Sequence, residues 1–291
     1  MRKRFKYFTL GWILFWALIG FFVILFFLNL GKLVFESEEL TEELIRTELV
    51  PVVDTSSTGE QDTAKKISKD SLLISWKWED FDSKMHRIDF SIYKQDLKKA
   101  AENRISSGWP TIYSDLYTHD KIYLKTFIDK MKKDIKQSNL SYLDAIEYVC
   151  SSIQYIPYTL ILPSNGDCPC TMPFGSFSAD CKVQANGRGC CNNADPFGVF
   201  SPLEFAYQKT ADCDTRALMA YTILNEMGFD VAVMLSESQG HSVLGVALPN
   251  ANNYSFGRNM LGKKYVLWEL TAWGWRLGMG VPGNDWMTAL E

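Results

Sequence analysis

Apolar positions along this chain change rhythm several times, and each rhythm predicts a different element. Residues 7–30 form an uncharged run containing Trp12, Phe15, Trp16, Phe21, Phe22, Phe26 and Phe27. A helix of about 20 apolar residues spans a bilayer. Residues 71–78 alternate, with Ile74, Trp76 and Trp78 on one face, and residues 87–93 alternate again through Ile88, Phe90 and Ile92. Two period-2 runs around the polar turn 79–84 predict a β-hairpin. Residues 94–104 read as helix. Over residues 118–136 the period becomes helical, placing Leu124, Phe127, Ile128, Met131 and Ile135 on one face. The opposite face, with Lys125, Lys132, Lys133 and Lys136, reads as a solvated surface. Ser141 followed by Asp144 has the form of a capping box. The helix it opens carries Leu143, Ile146, Val149 and Ile153 inward and ends before Pro157.

Residues 165–200 break the rhythm: they are rich in Gly, Asn, Pro and Cys and have no sustained period. Structureless loops of this length are uncommon unless functional or pinned. Residues 201–207 predict a short helix. Asp212 is a good N-cap, so a helix should begin at Cys213 and run to about Met227, where Gly228 provides a stop. Buried strands follow at 229–235, at 243–248 after the polar turn 236–240, and at 266–270. Helices and antiparallel strands in this order predict an α+β fold.

The compartment follows from the first run. Arg2, Lys3, Arg4 and Lys6 lie before it, which places residues 1–6 in the cytoplasm by the positive-inside rule. At 24 residues the run 7–30 exceeds a signal-peptide core of roughly 7–15 residues, and no A-x-A-like cleavage site follows it. Residues 31–70 read as an acidic juxtamembrane helix followed by a polar linker. Residues 71–291 then form one exported domain, with the hairpin and helices in 71–139. This predicts a single-pass protein of a bacterial cell envelope. A net charge of −4 argues against nucleic-acid binding, which calls for a basic face.

Export changes the meaning of the seven cysteines. Cys150, Cys168, Cys170, Cys181, Cys190 and Cys191 make an even set, which favours up to three disulfides of open connectivity. A zinc site is the rival reading, but Cys-x-Cys and Cys-Cys lack the usual knuckle spacing. No metal or cofactor is therefore assigned. Cys213 is left over, at a helix start where exposed amides and the helix dipole stabilise a thiolate. Of the three histidines, His86 and His119 read as ordinary surface residues. His241 opens the strand after the Cys213 helix. Glu269, flanked by apolar residues, is costly to bury unless paired, and His241 is its simplest partner. The set predicts a cysteine nucleophile, its base and the base's orienter. The Cys213 amide and the Gln154 side chain are candidate oxyanion donors.

The segments Gln154-Tyr155-Ile156-Pro157-Tyr158, Ala211-Asp212-Cys213-Asp214, residues 241–246 and Glu269-Leu270-Thr271 resemble, in order and spacing, those of the transglutaminase-like superfamily. The resemblance covers about residues 140–278 and is strongest to bacterial transglutaminase-like cysteine peptidase domains. It implies a papain-like core, with the catalytic Cys at a helix start packed on an antiparallel sheet that carries the His and the Glu. It also implies an acyl-enzyme on Cys213, formed from a protein or peptide substrate and passed to water or to an amine. Ala211 stands where that pattern usually has Gly, and Thr215 where a second Asp is common. The alternative reading is a non-catalytic scaffold or recognition module of a membrane complex. In that role the cysteine-rich stretch and Trp273, Trp275 and Trp286 would be partner surfaces.

Overall fold

Residues 70–163, 191–248, 257–260, 262–279, 281, 283 and 285–291 are described by a computed structural model. They all belong to the second of the chain's two units, Asp62–Glu291. The predicted membrane span, the linker and most of the cysteine-rich stretch lie outside the described residues. Among the described residues no helix is long and apolar enough to cross a membrane.

Strands β1 (Ser71–Glu79) and β2 (Met85–Tyr93) form the predicted antiparallel hairpin. Its turn is closed by Asp80, whose Oδ1 accepts the N–H groups of Asp82 and Lys84 at 3.0 and 2.9 Å. The alternating apolar positions all point one way, and Trp76 and Trp78 are fully buried. Helices α1 (Lys94–Ser106), α2 (Ile112–Asp120), α3 (Lys125–Gln137) and α4 (Tyr142–Gln154) follow. The hairpin's aromatic face packs on α3 through Phe127, 5.4 Å from Trp76 and 4.6 Å from Phe90, ring centre to ring centre.

The expected helix over 118–136 is two helices. The chain turns between them because the N–H groups of Tyr123 and Leu124 both return to the Asp120 carbonyl. The Asp120 side chain faces inward and takes the Leu203 N–H at 2.7 Å. Apolar spacing cannot signal a break that a buried polar contact imposes. Leu143 also departs from expectation: it is exposed, whereas Ile146, Val149 and Ile153 are buried. As the first turn's second residue it lies beyond the edge of the face that meets the core.

Two short parallel strands, β3 (Leu160–Leu162) and β4 (Cys191–Asn193), precede α5 (Pro202–Gln208), which opens with a capping box between Ser201 and Glu204. Helix α6 (Cys213–Met227) is buried on nearly every face. Gly228 ends it at φ 93°, a left-handed conformation that suits glycine. The helix lies on a five-stranded antiparallel sheet of β5 (Val231–Ser236), β6 (His241–Ala247), β7 (Gly257–Met260), β8 (Lys263–Trp268) and β9 (Trp286–Leu290). Their order is β7-β8-β6-β5-β9. Gly245 in β6 leaves room for Met234, whose Cγ a Cβ there would meet at 2.9 Å. The architecture is α+β with antiparallel sheets, as the residue pattern predicts.

Candidate active site

Asp212 organises the start of α6. Its Oδ1 accepts the Thr215 N–H at 3.2 Å as an N-cap, and its Oδ2 accepts the Ile161 N–H at 3.3 Å. Cys213 is therefore the first helical residue, and it is a free thiol. Strand β6 reaches it from the sheet. On one edge β6 pairs with β5 along its whole length, but β8 pairs with the other edge only from Leu244 onward. His241 and Ser242 thus extend past β8, toward the helix that Cys213 opens.

His241 and Glu269 are brought together. The imidazole Nε2 lies 2.7 Å from Glu269 Oε2. Glu269 Oε1 accepts both the N–H and the hydroxyl of Thr271, at 2.8 and 2.7 Å. Burial pushes the Glu269 carboxyl upward, but the bonds from His241 and Thr271 outweigh it and hold the group below its usual range. An ionised carboxylate only accepts, so Nε2 donates to it, and in a neutral imidazole this leaves the lone pair on Nδ1. Glu269 stands one residue beyond the end of β8 rather than inside a strand. Off the ladder, its carboxylate can turn toward the open end of β6.

The thiol is electrostatically restrained. Burial pushes Cys213 well above its ordinary range, and the carboxylates of Asp214 and Asp212 push in the same direction. The Ser242 N–H acts against them. The sequence leads one to expect a thiolate favoured by the helix start. The fold buries the sulfur beside two acidic groups instead, which works against its ionisation.

Gln154 is not placed as an oxyanion donor. Its Nε2 donates to the carbonyls of Glu269 and Trp275, both at 2.8 Å, which uses both of its N–H bonds. Its Oε1 accepts the Gly274 N–H at 3.0 Å. Cys150 also departs from expectation. It is a fully buried free thiol on α4, so the six other cysteines do not form the closed paired set that the even count suggested. Its neighbours on the inner face of that helix enclose it. Its predicted companions Cys168, Cys170, Cys181 and Cys190 lie outside the described residues. His86 and His119 are not simple surface groups. Each is partly buried against a carboxylate, His86 on Asp80 at 2.6 Å and His119 on Asp120 at 2.7 Å. Of the three tryptophans offered as partner surfaces, Trp286 is buried in the sheet core and Trp273 is exposed.

Several site residues were missed. Asp214 accepts hydrogen bonds from the Ser242 hydroxyl and from Tyr113 on α2. Arg216, one turn after Cys213, is fully buried without a carboxylate bonded to it. Its guanidinium donates to the carbonyls of Ala211 at 3.2 Å, Leu270 at 2.8 Å, Gln154 at 3.5 Å and Ile156. Tyr158 stacks on it at 5.4 Å. The signal for Arg216 was legible: an arginine in a helix with no polar face must find internal acceptors. The partners of Asp214 left no such mark. Among the described residues, no three His, Cys, Asp or Glu side chains are grouped to hold a metal ion. No protein-family model, curated protein or solved structure matches the chain.

Proposed function

We propose that this protein is a transglutaminase-like thiol enzyme that acts on peptide or amide bonds through an acyl-enzyme at Cys213. The observation that carries the reading is the His241–Glu269 pair at 2.7 Å, at the end of the strand that packs on the Cys213 helix. Nε2 is committed to Glu269, so Nδ1 is the base. Apo hydrogen bonds of this kind often tighten only when substrate binds.

Nδ1 takes the thiol proton as Sγ bonds to the substrate carbonyl carbon. The Cys213 main-chain N–H, free at the helix start, faces the oxygen that gains charge. The imidazolium returns the proton to the leaving nitrogen as the C–N bond breaks. Water or an amine then gives a proton to Nδ1 and attacks the thioester, and the departing thiolate recovers the proton. Glu269 holds the ring in the tautomer this needs and stabilises its charged form. The apolar run 7–30 and its basic flank support placing the domain outside a membrane that the chain spans once.

A non-catalytic scaffold is the second reading, favoured by the burial of Cys213 and the upward push on its thiol. Labelling by a thiol-directed electrophile, mapped by mass spectrometry, separates the two. The enzyme reading expects Cys213 to be labelled, Cys213→Ala to lose that label, and His241→Ala to slow it by about 10²-fold or more. Equal labelling rates in wild type and His241→Ala would leave the scaffold.

A further inference from the structure

Glu269 follows the last residue of β8, so no ladder holds its backbone where the carboxylate must meet His241. Two side chains from elsewhere hold it instead. Gln154, the last residue of α4, donates to the Glu269 carbonyl and to that of Trp275, and it accepts from Gly274. Arg216, on the Cys213 helix, donates to the carbonyl of Leu270, the next residue. Gln154 is 3 % exposed and is the only described side chain bonded to the main chain at both Glu269 and Trp275, the two ends of the turn. Trp268 Nε1 adds a bond to the Trp275 carbonyl at 2.8 Å, which steadies the far end but not Glu269.

We infer that Gln154 is a positioning residue that sets the Glu269 carboxylate on His241 by clamping the turn 269–275. A side-chain amide suits this task. It offers two donors and an acceptor in one plane, so a single group ties three main-chain atoms of a segment outside the sheet. The neighbouring carbonyl is tied to Arg216, three residues after the nucleophile. The acid is thereby referenced to the helix that carries Cys213. Gln154 touches no reacting atom, and its effect passes entirely through Glu269. The inference rests on the proposed reading only in taking the His241–Glu269 contact as the one that matters chemically.

The test is proton NMR of the full chain in detergent. A ring N–H donating to a carboxylate gives a resonance displaced downfield. The chain has three histidines, and each has a carboxylate partner: Asp80 for His86, Asp120 for His119 and Glu269 for His241. His241→Asn and Glu269→Gln identify the His241 signal. The two other histidines are internal controls for the fold. Gln154→Glu keeps size and an acceptor for Gly274 but removes the donors, and Gln154→Met removes all three bonds. The expected result is loss or upfield displacement of the His241 signal in both variants, with the His86 and His119 signals in place. Cys213 alkylation should slow with it, by up to about 10²-fold as for other small misplacements. An unmoved His241 signal in either variant overturns the inference. So does loss of all three signals in both, which would make Gln154 a general core residue. A wild-type Cys213 that does not alkylate overturns the proposed chemistry and leaves the resonance result standing.

Discussion

Two buried arginines show how differently this fold treats a charge. Arg104 on α1 meets Glu204 on α5 in a two-pronged pair, Nε to Oε2 at 2.8 Å and Nη2 to Oε1 at 2.9 Å. Arg216 on α6 has no carboxylate bonded to it and spends its donors on main-chain carbonyls of three separate segments. The first junction is neutral and joins two helices. The second brings a positive charge into the surroundings of Asp212, Cys213 and Glu269, and burial pulls its own pKa down to about 10. A neutral pair can be exchanged for apolar packing. A cation that satisfies main-chain carbonyls of several segments cannot.

The sharpest way to break this comparison is to remove each arginine. Arg216→Met should be the more damaging. The four carbonyls it serves lose a donor at about 1–3 kcal/mol each, so a loss of about 4 kcal/mol or more in urea unfolding is expected. No second substitution should restore it. Arg104→Met strands Glu204 and should cost about 3–5 kcal/mol. Adding Glu204→Gln, which still accepts the Ser201 N–H, should recover more than half of that loss. A double variant no better than the single would show that the two junctions are alike after all.

Asp214 sharpens the contrast near the thiol. Burial holds its carboxyl above the ordinary 3.8 in the folded protein. The folded state thus keeps a proton that the unfolded chain has already released. Stability of the wild type should therefore fall relative to Asp214→Asn as pH rises from 3.8 through the folded value, and the gap should then stay constant. The same carboxylate pushes the Cys213 thiol upward. The midpoint of Cys213 alkylation against pH should accordingly move down in Asp214→Asn. A midpoint that moves up would mean that holding Ser242 outweighs the charge. The smallest effect is expected at the surface. The Lys125–Asp129 pair is largely exposed, and Lys125→Ala should change stability by no more than about 0.5 kcal/mol.

Local pattern carried the reading where one element decides its own fate. The hairpin follows from strict alternation and a turn rich in Asp and Ser. Helix α6 follows from Asp212 before it and Gly228 after it. Prediction failed where a distant group intervenes. The helix expected over 118–136 is interrupted after Asp120, whose side chain accepts the Leu203 N–H more than 80 residues away. Gln154 was singled out for the right neighbourhood and given the wrong task, because its acceptors lie 115 and 121 residues further on. Tyr113, Asp214 and Ser242 have unremarkable local contexts. Only the packing of α2 and β6 around the helix start makes them neighbours.

The sequence by itself determined most elements and their order, and pointed to Cys213, His241 and Glu269, because capping, periodicity and residue chemistry are local properties. The tertiary structure alone decided the partner of the His241 ring, the burial of the Cys213 thiol and the clamp on Glu269. Each depends on hydrogen bonds and burial between segments far apart in the chain, which no local pattern encodes.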